Sequence, residues 1–299
     1  MMKVFAIVVT YNGMKWYDRC FGSLLASDIP VEILAVDNAS TDTTVAYLQD
    51  HFPQVKVVLN DKNLGFGQAN NVGMRYALDH GADYVFLLNQ DAWVEPATIG
   101  DLAAIHAKHV EYGVVSCMHL NTDENRIWQL NCICNDRITD PLLFNDMYFG
   151  QVKEIYETKY VNAAAWLLPR KTMETVGGFD PIFFHYGEDD NYIQRVLFHG
   201  FKIGICPTQR IVHDMRIDRP LYDSREHEVL MTIAYADVNA SHQIKREMRQ
   251  HWLKTITSFL KGRRQVAKKH RADYLWLKKN RNAIEESVTA NRKEGPNWL

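Results

Sequence analysis

Short apolar runs that stop abruptly on polar residues recur through most of the chain. Residues 4–9 are continuously apolar and mostly β-branched, and they end at Thr10-Tyr11-Asn12-Gly13, which predicts a strand and a turn. Residues 33–36 repeat the pattern and end on Asp37-Asn38-Ala39-Ser40-Thr41-Asp42. Residues 55–59 make a third run, and residues 85–88 a fourth that ends on Asn89-Gln90-Asp91. A run this short with no polar face predicts a strand covered on both sides. Between the runs, the apolar spacing turns helical. Trp16, Cys20, Phe21, Leu24 and Leu25 mark one helix over 16–27, closed by Pro30, and Val45 and Leu48 mark a second. Ser40 and Asp42 are its expected N-caps. A third helix leads from Asn63-Leu64-Gly65-Phe66-Gly67 to about His80, and a fourth runs from Pro96 to about Tyr112, before a strand at 114–117.

Strands and helices alternating at this spacing predict an α/β fold, with a mostly parallel central sheet flanked by helices and right-handed crossovers. Thr10, Asp37 and Asp91 then fall at carboxyl ends of strands, on the rim where open α/β sheets bind ligands. One acidic residue there is as readily a helix cap as a site, but three polar strand ends converging on one edge predict a site. The rhythm is lost over 121–159, where Trp128, Leu130, Ile133, Leu142, Leu143, Phe144, Met147 and Tyr148 are scattered among polar residues, so an irregular or antiparallel insertion is expected. A strand follows at 161–168, and then a turn at Gly177-Gly178-Phe179-Asp180-Pro181. Glu188-Asp189-Asp190 opens a helix that runs to about His199, where three acids suit the dipole. Residues 202–206 form another strand, with His213 shortly after it, and 221–286 read as mostly helical.

Composition narrows the class. At 299 residues, 46% hydrophobic and 23% charged, the chain has the make-up of a soluble globular protein. Its N-terminus lacks the apolar stretch of a signal peptide, and no run is long enough to span a bilayer, which predicts a cytoplasmic protein. Cys20, Cys117, Cys132, Cys134 and Cys206 are sparse and lack a zinc-ligand spacing, so reduced thiols and no structural metal are expected. The net charge of −2 is unevenly divided. Residues 240–299 carry 15 Lys/Arg against 5 Asp/Glu, about +10, and the remainder is about −12. A basic end on an acidic body suits a polyanion or an anionic membrane surface, although a solvated helical face explains it equally well.

A nucleotide diphosphate bound at the rim needs its base read and its phosphates neutralised. Asp37 at a strand end is able to accept from a pyrimidine N3–H or a ribose hydroxyl. Asp91 suits a hard divalent cation bridging two phosphates. His213 is a further candidate ligand, more at home with Mn²⁺ than with Mg²⁺, though a lone histidine after a strand is more often structural. Asp189 is a candidate general base for an attacking hydroxyl. Trp166 is placed either to stack on a sugar ring or in the core.

Five segments together resemble family 2 glycosyltransferases of the GT-A fold. They are Val9-Thr10-Tyr11-Asn12, Val36-Asp37-Asn38-Ala39-Ser40-Thr41-Asp42, Asn63-Leu64-Gly65-Phe66-Gly67-Gln68-Ala69-Asn70-Asn71-Val72-Gly73, Leu88-Asn89-Gln90-Asp91, and Gly178-Phe179-Asp180 followed by Gly187-Glu188-Asp189. The match covers residues 4–213 and looks most like bacterial rhamnosyltransferase-type enzymes of surface polysaccharide synthesis. The resemblance implies an inverting transferase that moves a hexose, rhamnose among them, from a dTDP- or UDP-sugar to a hydroxyl of a glycan or lipid-linked acceptor, with Mg²⁺ or Mn²⁺. It implies nucleotide-sugar contacts from Thr10, Tyr11, Asn12, Asp37, Asn38, Asn63, Gly65, Gln68, Asn70, Asn89, Gln90 and Asp91, and a metal on Asp91 and His213. Asn89-Gln90-Asp91 stands where the family has its DXD motif, with Asn in place of the first acid. Glu188-Asp189 matches the family's ED motif, whose aspartate is the usual base, and Asp190 lies next to it. The implied domains are a GT-A unit at 1–220, with a nucleotide half at 1–117 and an acceptor half at 118–220, and a basic helical region at 221–299.

The rival readings fare worse. A dinucleotide-binding dehydrogenase needs its glycine fingerprint directly after the first strand, whereas Gly65-Phe66-Gly67 follows the third. A sugar-phosphate nucleotidyltransferase needs a glycine-rich basic loop where Thr10-Tyr11-Asn12-Gly13 stands. The non-enzymatic alternative is a catalytically weak sugar-nucleotide-binding scaffold, suggested by Asn89 and opposed by Glu188-Asp189. In the C-terminal region, Trp252, Phe259, Leu260 and Trp276 among Lys254, Lys261, Arg263, Arg264, Lys278 and Lys279 predict amphipathic basic helices suited to peripheral contact with a membrane. No nucleic-acid motif is present, and a homodimer is compatible with the chain.

Overall fold

A computed structural model describes residues 2–127, 142–214, 226–239 and 244–299. Trp128, Leu130, Cys132, Ile133 and Cys134, and the start of the expected helical region at 221–225, lie outside the described residues. The strands are β1 (Val4–Thr10), β2 (Val31–Asp37), β3 (Lys56–Leu59), β4 (Tyr84–Asn89), β5 (Ala92–Val94), β6 (Tyr112–Leu120), β7 (Tyr156–Thr158), β8 (Ala165–Pro169) and β9 (Lys202–His213). The helices are α1 (Met14–Leu25), α2 (Thr44–His51), α3 (Phe66–Asp79), α4 (Thr98–Lys108), α5 (Leu143–Phe149), α6 (Arg170–Val176), α7 (Glu188–Phe198), α8 (Glu226–Tyr235), α9 (Ile244–Leu260) and α10 (Arg264–Asn291).

All nine strands join one sheet in the order β3-β2-β1-β4-β8-β6-β9-β5, with β7 also on β9. β3, β2, β1 and β4 are mutually parallel, as the alternating pattern requires. β8 enters between β4 and β6 and is antiparallel to both, while β6 and β9 are parallel. The sheet is the partition between two apolar layers. On β1, Val4, Ala6 and Val8 face one layer with Tyr17, Phe21 and Leu24 of α1 and Ile99 and Leu102 of α4. Phe5 and Ile7 face the other, with Ala69, Met74 and Ala77 of α3 and Tyr192 and Val196 of α7. This double covering is why these strands read as unbroken apolar runs.

Several features differ from the sequence expectation, the helices α5 and α6 among them. β4 stops at Asn89, so Asp91 lies in the turn before the three-residue β5. β9 runs on past Cys206 to His213, because a register shift lets residues 207–209 bulge out between the Cys117–Cys206 and Met118–Arg210 pairs. Ser40 caps no helix: its hydroxyl donates to Asp37, whereas Asp42 does accept the Thr44 N–H at 2.9 Å.

The C-terminal helices have a small core of their own, built on Ile244, Leu277 and Ile284. They are also tied to the sheet domain. Asp180, buried just before α7, accepts from Ser287 Oγ at 2.5 Å and from Asn291 Nδ2 at 2.6 Å. Arg195 of α7 donates in turn to Asn291 Oδ1.

Candidate active site

The carboxyl ends of β1, β2 and β4 lie side by side, with Thr10 in register with Asp37 and Val9 with Asn89. Beyond them opens a pocket of about 410 Å³, lined by Val9, Tyr11, Asn38, Asn63, Gly65, Phe66, Asn89, Gln90, Asp91, Phe184 and His185. That volume suits a ligand of nucleotide size.

Seven of the residues singled out in the sequence line this pocket, and others stand behind it. Asp37 is buried and accepts from Thr10 Oγ1 at 3.1 Å, Ser40 Oγ at 2.6 Å and Ser40 N at 2.9 Å. Three of a carboxylate's roughly four acceptor positions are thereby taken. Asn12, at φ 48°, bonds Ser40 and Thr41 and holds the β1 turn against the β2 turn. Gln68 donates back to the Leu64 carbonyl before α3, and Asn70 to the Phe66 carbonyl in its first turn. Thr10, Asn12, Gln68 and Asn70 stand outside the residues that line the pocket, and the hydrogen bonds of their side chains brace its backbone.

The pocket wall is itself braced by amides. Asn38 donates to Asn63 Oδ1 and the Gly65 carbonyl, and it accepts from Leu64 N at 2.8 Å. Gln90 accepts from Tyr11 N at 2.9 Å and donates to the Tyr11 carbonyl, joining the β1 turn to the β4–β5 turn. Gly65 adopts φ +80°, and a Cβ there would fall 1.8 Å from the Phe184 carbonyl oxygen, so the loop before α7 rests directly on it. Phe184 and His185, which the sequence reading missed, reach the pocket on that loop. The available signal was their position between Asp180 and Gly187, inside the resembling segment.

At the rim, Asp91 Oδ1 lies 3.2 Å from His213 Nε2, brought there because Ala92 of β5 pairs with His213 at the end of β9. Neighbouring ligands of an octahedral cation bound at about 2.1 Å are about 3 Å apart, so this pair fits a divalent ion. Asn89 Nδ2 lies 3.4 Å from the same imidazole nitrogen, and Asn89 Oδ1 is buried without a hydrogen-bond partner among the described residues. A carboxylate, an imidazole and an uncommitted amide oxygen suit Mn²⁺ or Mg²⁺, with the imidazole favouring Mn²⁺.

α7 presents the acidic pair. Tyr186 and Gly187 both take positive φ, 69° and 88°, and this tight left-handed turn points the start of α7 inward. Glu188 is buried, and burial together with the neighbouring Asp189 charge pushes its carboxyl up to about 8. It is therefore mostly protonated at neutral pH, with Oε2 unpartnered among the described residues. Asp189 is half-buried, accepting from Tyr160 Oη at 2.6 Å and from Asp190 N at 2.9 Å. Of the two acids named from the sequence, Glu188 is the more buried and Asp189 the one that Tyr160 holds.

Trp166 is not a sugar platform. It is fully buried, stacked on Phe179 with centroids 5.9 Å apart, and opposite Leu87 across the sheet. Nor are the described cysteines reactive: Cys20, Cys117 and Cys206 are free and buried, and burial raises all three thiols, Cys206 to about 12.

The wider comparisons agree with this geometry. Residues 5–172 match the model for glycosyl transferase family 2. A dTDP-rhamnosyl transferase, RfbF of Shigella flexneri, is 23% identical over 211 residues, covering 70% of this chain and 68% of that protein. An N-acetylglucosaminyl-diphospho-decaprenol L-rhamnosyltransferase of Mycobacterium tuberculosis is 25% identical, covering 69% and 74%. Among solved structures, S. aureus TarS 1-349 in complex with UDP-GlcNAc superposes at TM-score 0.59 and 17% identity, covering 97% of this chain and 89% of that one. The mannosyltransferase PcManGT from Pyrobaculum calidifontis, in complex with GDP-Man and Mn²⁺, gives 0.55 at 18% identity, covering 96% and 75%. Sheet order, pocket position and matched residues lead to one conclusion: the chain belongs to glycosyltransferase family 2 and is a nucleotide-sugar-dependent glycosyltransferase with the GT-A fold.

Proposed function

We propose that the protein transfers a hexosyl or deoxyhexosyl residue, rhamnose foremost, from a dTDP- or UDP-sugar to a hydroxyl of a glycan or lipid-linked acceptor, with inversion. The carrying observation is that Asp91 and His213 meet at 3.2 Å on one side of a pocket whose other side is the loop leading into Asp189. Tyr11, Asn38 and Asn63 flank the nucleoside, and Asp37 behind them offers its remaining acceptor position to a base or ribose donor. Asp91 and His213 would hold Mg²⁺ or Mn²⁺, with the unpartnered Asn89 Oδ1 as a further candidate ligand. When bound, that ion neutralises the charge that develops on the departing diphosphate. Asp189 takes the proton from the acceptor hydroxyl as its oxygen attacks the anomeric carbon, and the Tyr160 hydroxyl holds the carboxylate in line. Glu188, largely protonated, is able to donate from its unpartnered carboxyl to a sugar or acceptor oxygen. A relative's name, N-acetylglucosaminyl-diphospho-decaprenol L-rhamnosyltransferase, supports a lipid-linked acceptor and polysaccharide synthesis as the setting. The basic end of α9, where Trp252, Phe259 and Leu260 are exposed among Lys254, Lys261, Arg263 and Arg264, supplies the contact with an anionic membrane on which a lipid-linked acceptor would lie.

The discriminating experiment screens nucleotide sugars for thermal stabilisation and then follows nucleoside diphosphate release. Asp189→Asn should retain donor affinity and lose at least about 100-fold in turnover, the scale of general-base catalysis. Asp91→Ala should instead lose the Mn²⁺-dependent part of donor binding in calorimetry. Near-normal turnover in Asp189→Asn would reassign the base. A wild type that binds donor but releases no diphosphate with any acceptor would favour the scaffold reading.

A further inference from the structure

Away from the sheet, the helical region brings a second set of ligating groups together. Asp273 of α10 is buried, with its side chain only 5% exposed, yet no Lys or Arg is paired with it among the described residues. Three imidazoles face it from three helices instead. His251 Nδ1 of α9 lies 3.4 Å from Asp273 Oδ2, and His270 Nδ1, one turn before Asp273 on α10, lies 3.9 Å from the same oxygen. His251 Nδ1 and His270 Nδ1 are 3.3 Å apart. His227 Nε2 of α8 approaches the other carboxylate oxygen, Oδ1, at 2.8 Å.

We propose that His251 Nδ1, His270 Nδ1 and Asp273 Oδ2 form a transition-metal site of the zinc class that clamps α9 to α10. Ligands of a tetrahedral ion at about 2.05 Å are about 3.3 Å apart, the separation of the two nitrogens and nearly that of His251 from the carboxylate. The His270–Asp273 gap closes with a small rotation about the Asp273 side chain. Two imidazoles and one carboxylate are the donor set that Zn²⁺ takes readily, and Mg²⁺ and Ca²⁺ prefer oxygen cages. The remaining face of the ion is left to water or to a further ligand. His227 on Oδ1 fixes the carboxylate's orientation, as partners behind the ligands of zinc sites commonly do. The site also balances a buried charge: a carboxylate sealed between helices is costly alone and satisfied beside a dication. Its ligands share nothing with the Asp91–His213 pair, so it stands or falls apart from the transferase reading.

The test uses the full chain carrying Asp91→Ala, so that the pocket pair contributes no binding, stripped with chelator and titrated with Co²⁺ and then Zn²⁺. One equivalent of Co²⁺ should give the visible d–d bands of four-coordinate cobalt, and Zn²⁺ should bleach them. His251→Asn and His270→Asn, each with unchanged far-UV circular dichroism, should weaken Zn²⁺ binding by more than about 100-fold, and His227→Ala by about 10- to 100-fold. A cobalt spectrum without those bands, or bands that survive both asparagine variants, overturns the site. A second measurement needs no ligand variant: equimolar Zn²⁺ should raise the melting temperature of the Asp91→Ala chain and equimolar Mg²⁺ should not. An unmoved melt with Zn²⁺ also overturns it.

Discussion

Glu188 shows how one buried carboxyl couples the site to stability. Its carboxyl rises from an ordinary 4.5 to about 8, burial being the larger cause and Asp189 the next. Between those values the folded chain holds a proton that the unfolded chain has released. Stability should therefore fall as pH rises from about 4.5 to 8 and level off above, by an amount on the order of a few kcal/mol. Glu188→Gln keeps the shape and removes the titration, so its stability relative to wild type should grow steadily across that window in paired denaturant melts. A constant difference across pH would mean that Glu188 is ionised in the fold. Trp166 supplies the contrasting case of a residue whose chemistry suggests a ligand and whose location denies it. Trp166→Ala should cost about 3–5 kcal/mol in urea unfolding, as a core truncation does, while the affinity of the folded fraction for nucleotide stays unchanged.

Among the elements, the loop from Asp180 to Gly187 joins the two halves of the pocket, and Gly65 is its seat. A Cβ at position 65 would strike the Phe184 carbonyl, which is backbone and has no rotamer to escape into, and φ +80° adds its own strain. Gly65→Ala should cost about 1–3 kcal/mol, and it should weaken donor binding measured by calorimetry because Phe184 and His185 are displaced. The sequence already revealed much at this level. The central runs of β1, β2 and β4 are apolar because helices cover both faces, and that pattern is visible without coordinates. What was hidden depended on pairing partners. β5 is too short to carry a pattern and exists because it pairs with the end of β9. The far half of β9 escaped notice because Pro207 and the bulge after Cys206 interrupt its alternation. Trp166 was ambiguous for the same reason, since a strand's two buried faces look alike until its neighbours are known. Thr10, Gln68 and Asn70 stand outside the pocket lining, and nothing in their spacing sets them apart from the residues that line it.

For the molecule as a whole, the charge division has a place: the basic residues cluster on α9 and α10, against an acidic remainder. Charge reversal of Lys254, Lys261, Arg263 and Arg264 to Glu should release the protein from anionic vesicles in flotation. At about 1 kcal/mol per basic residue near such a surface, partitioning should drop by at least about 100-fold. Neutral vesicles should bind wild type and variant alike. No helix among the described residues is long and apolar enough to cross a membrane, so surface contact is the mode to test. The expected boundary near residue 220 is bridged by side chains, because Asp180 is held by Ser287 and Asn291 from the end of α10. That clasp has a consequence for biosynthesis. Asp180 and Asn291 are 111 residues apart in the chain, so the loop that presents Asp189 waits for its fastener while the later helices are still being translated. At about 5–20 residues per second the wait is on the order of ten seconds. The catalytic half would leave the ribosome before its loop is fixed, and donor turnover would begin only with release of the full chain. Stalled nascent chains ending before position 287 should accordingly show protease cleavage at the Asp180–Gly187 loop that the released protein resists.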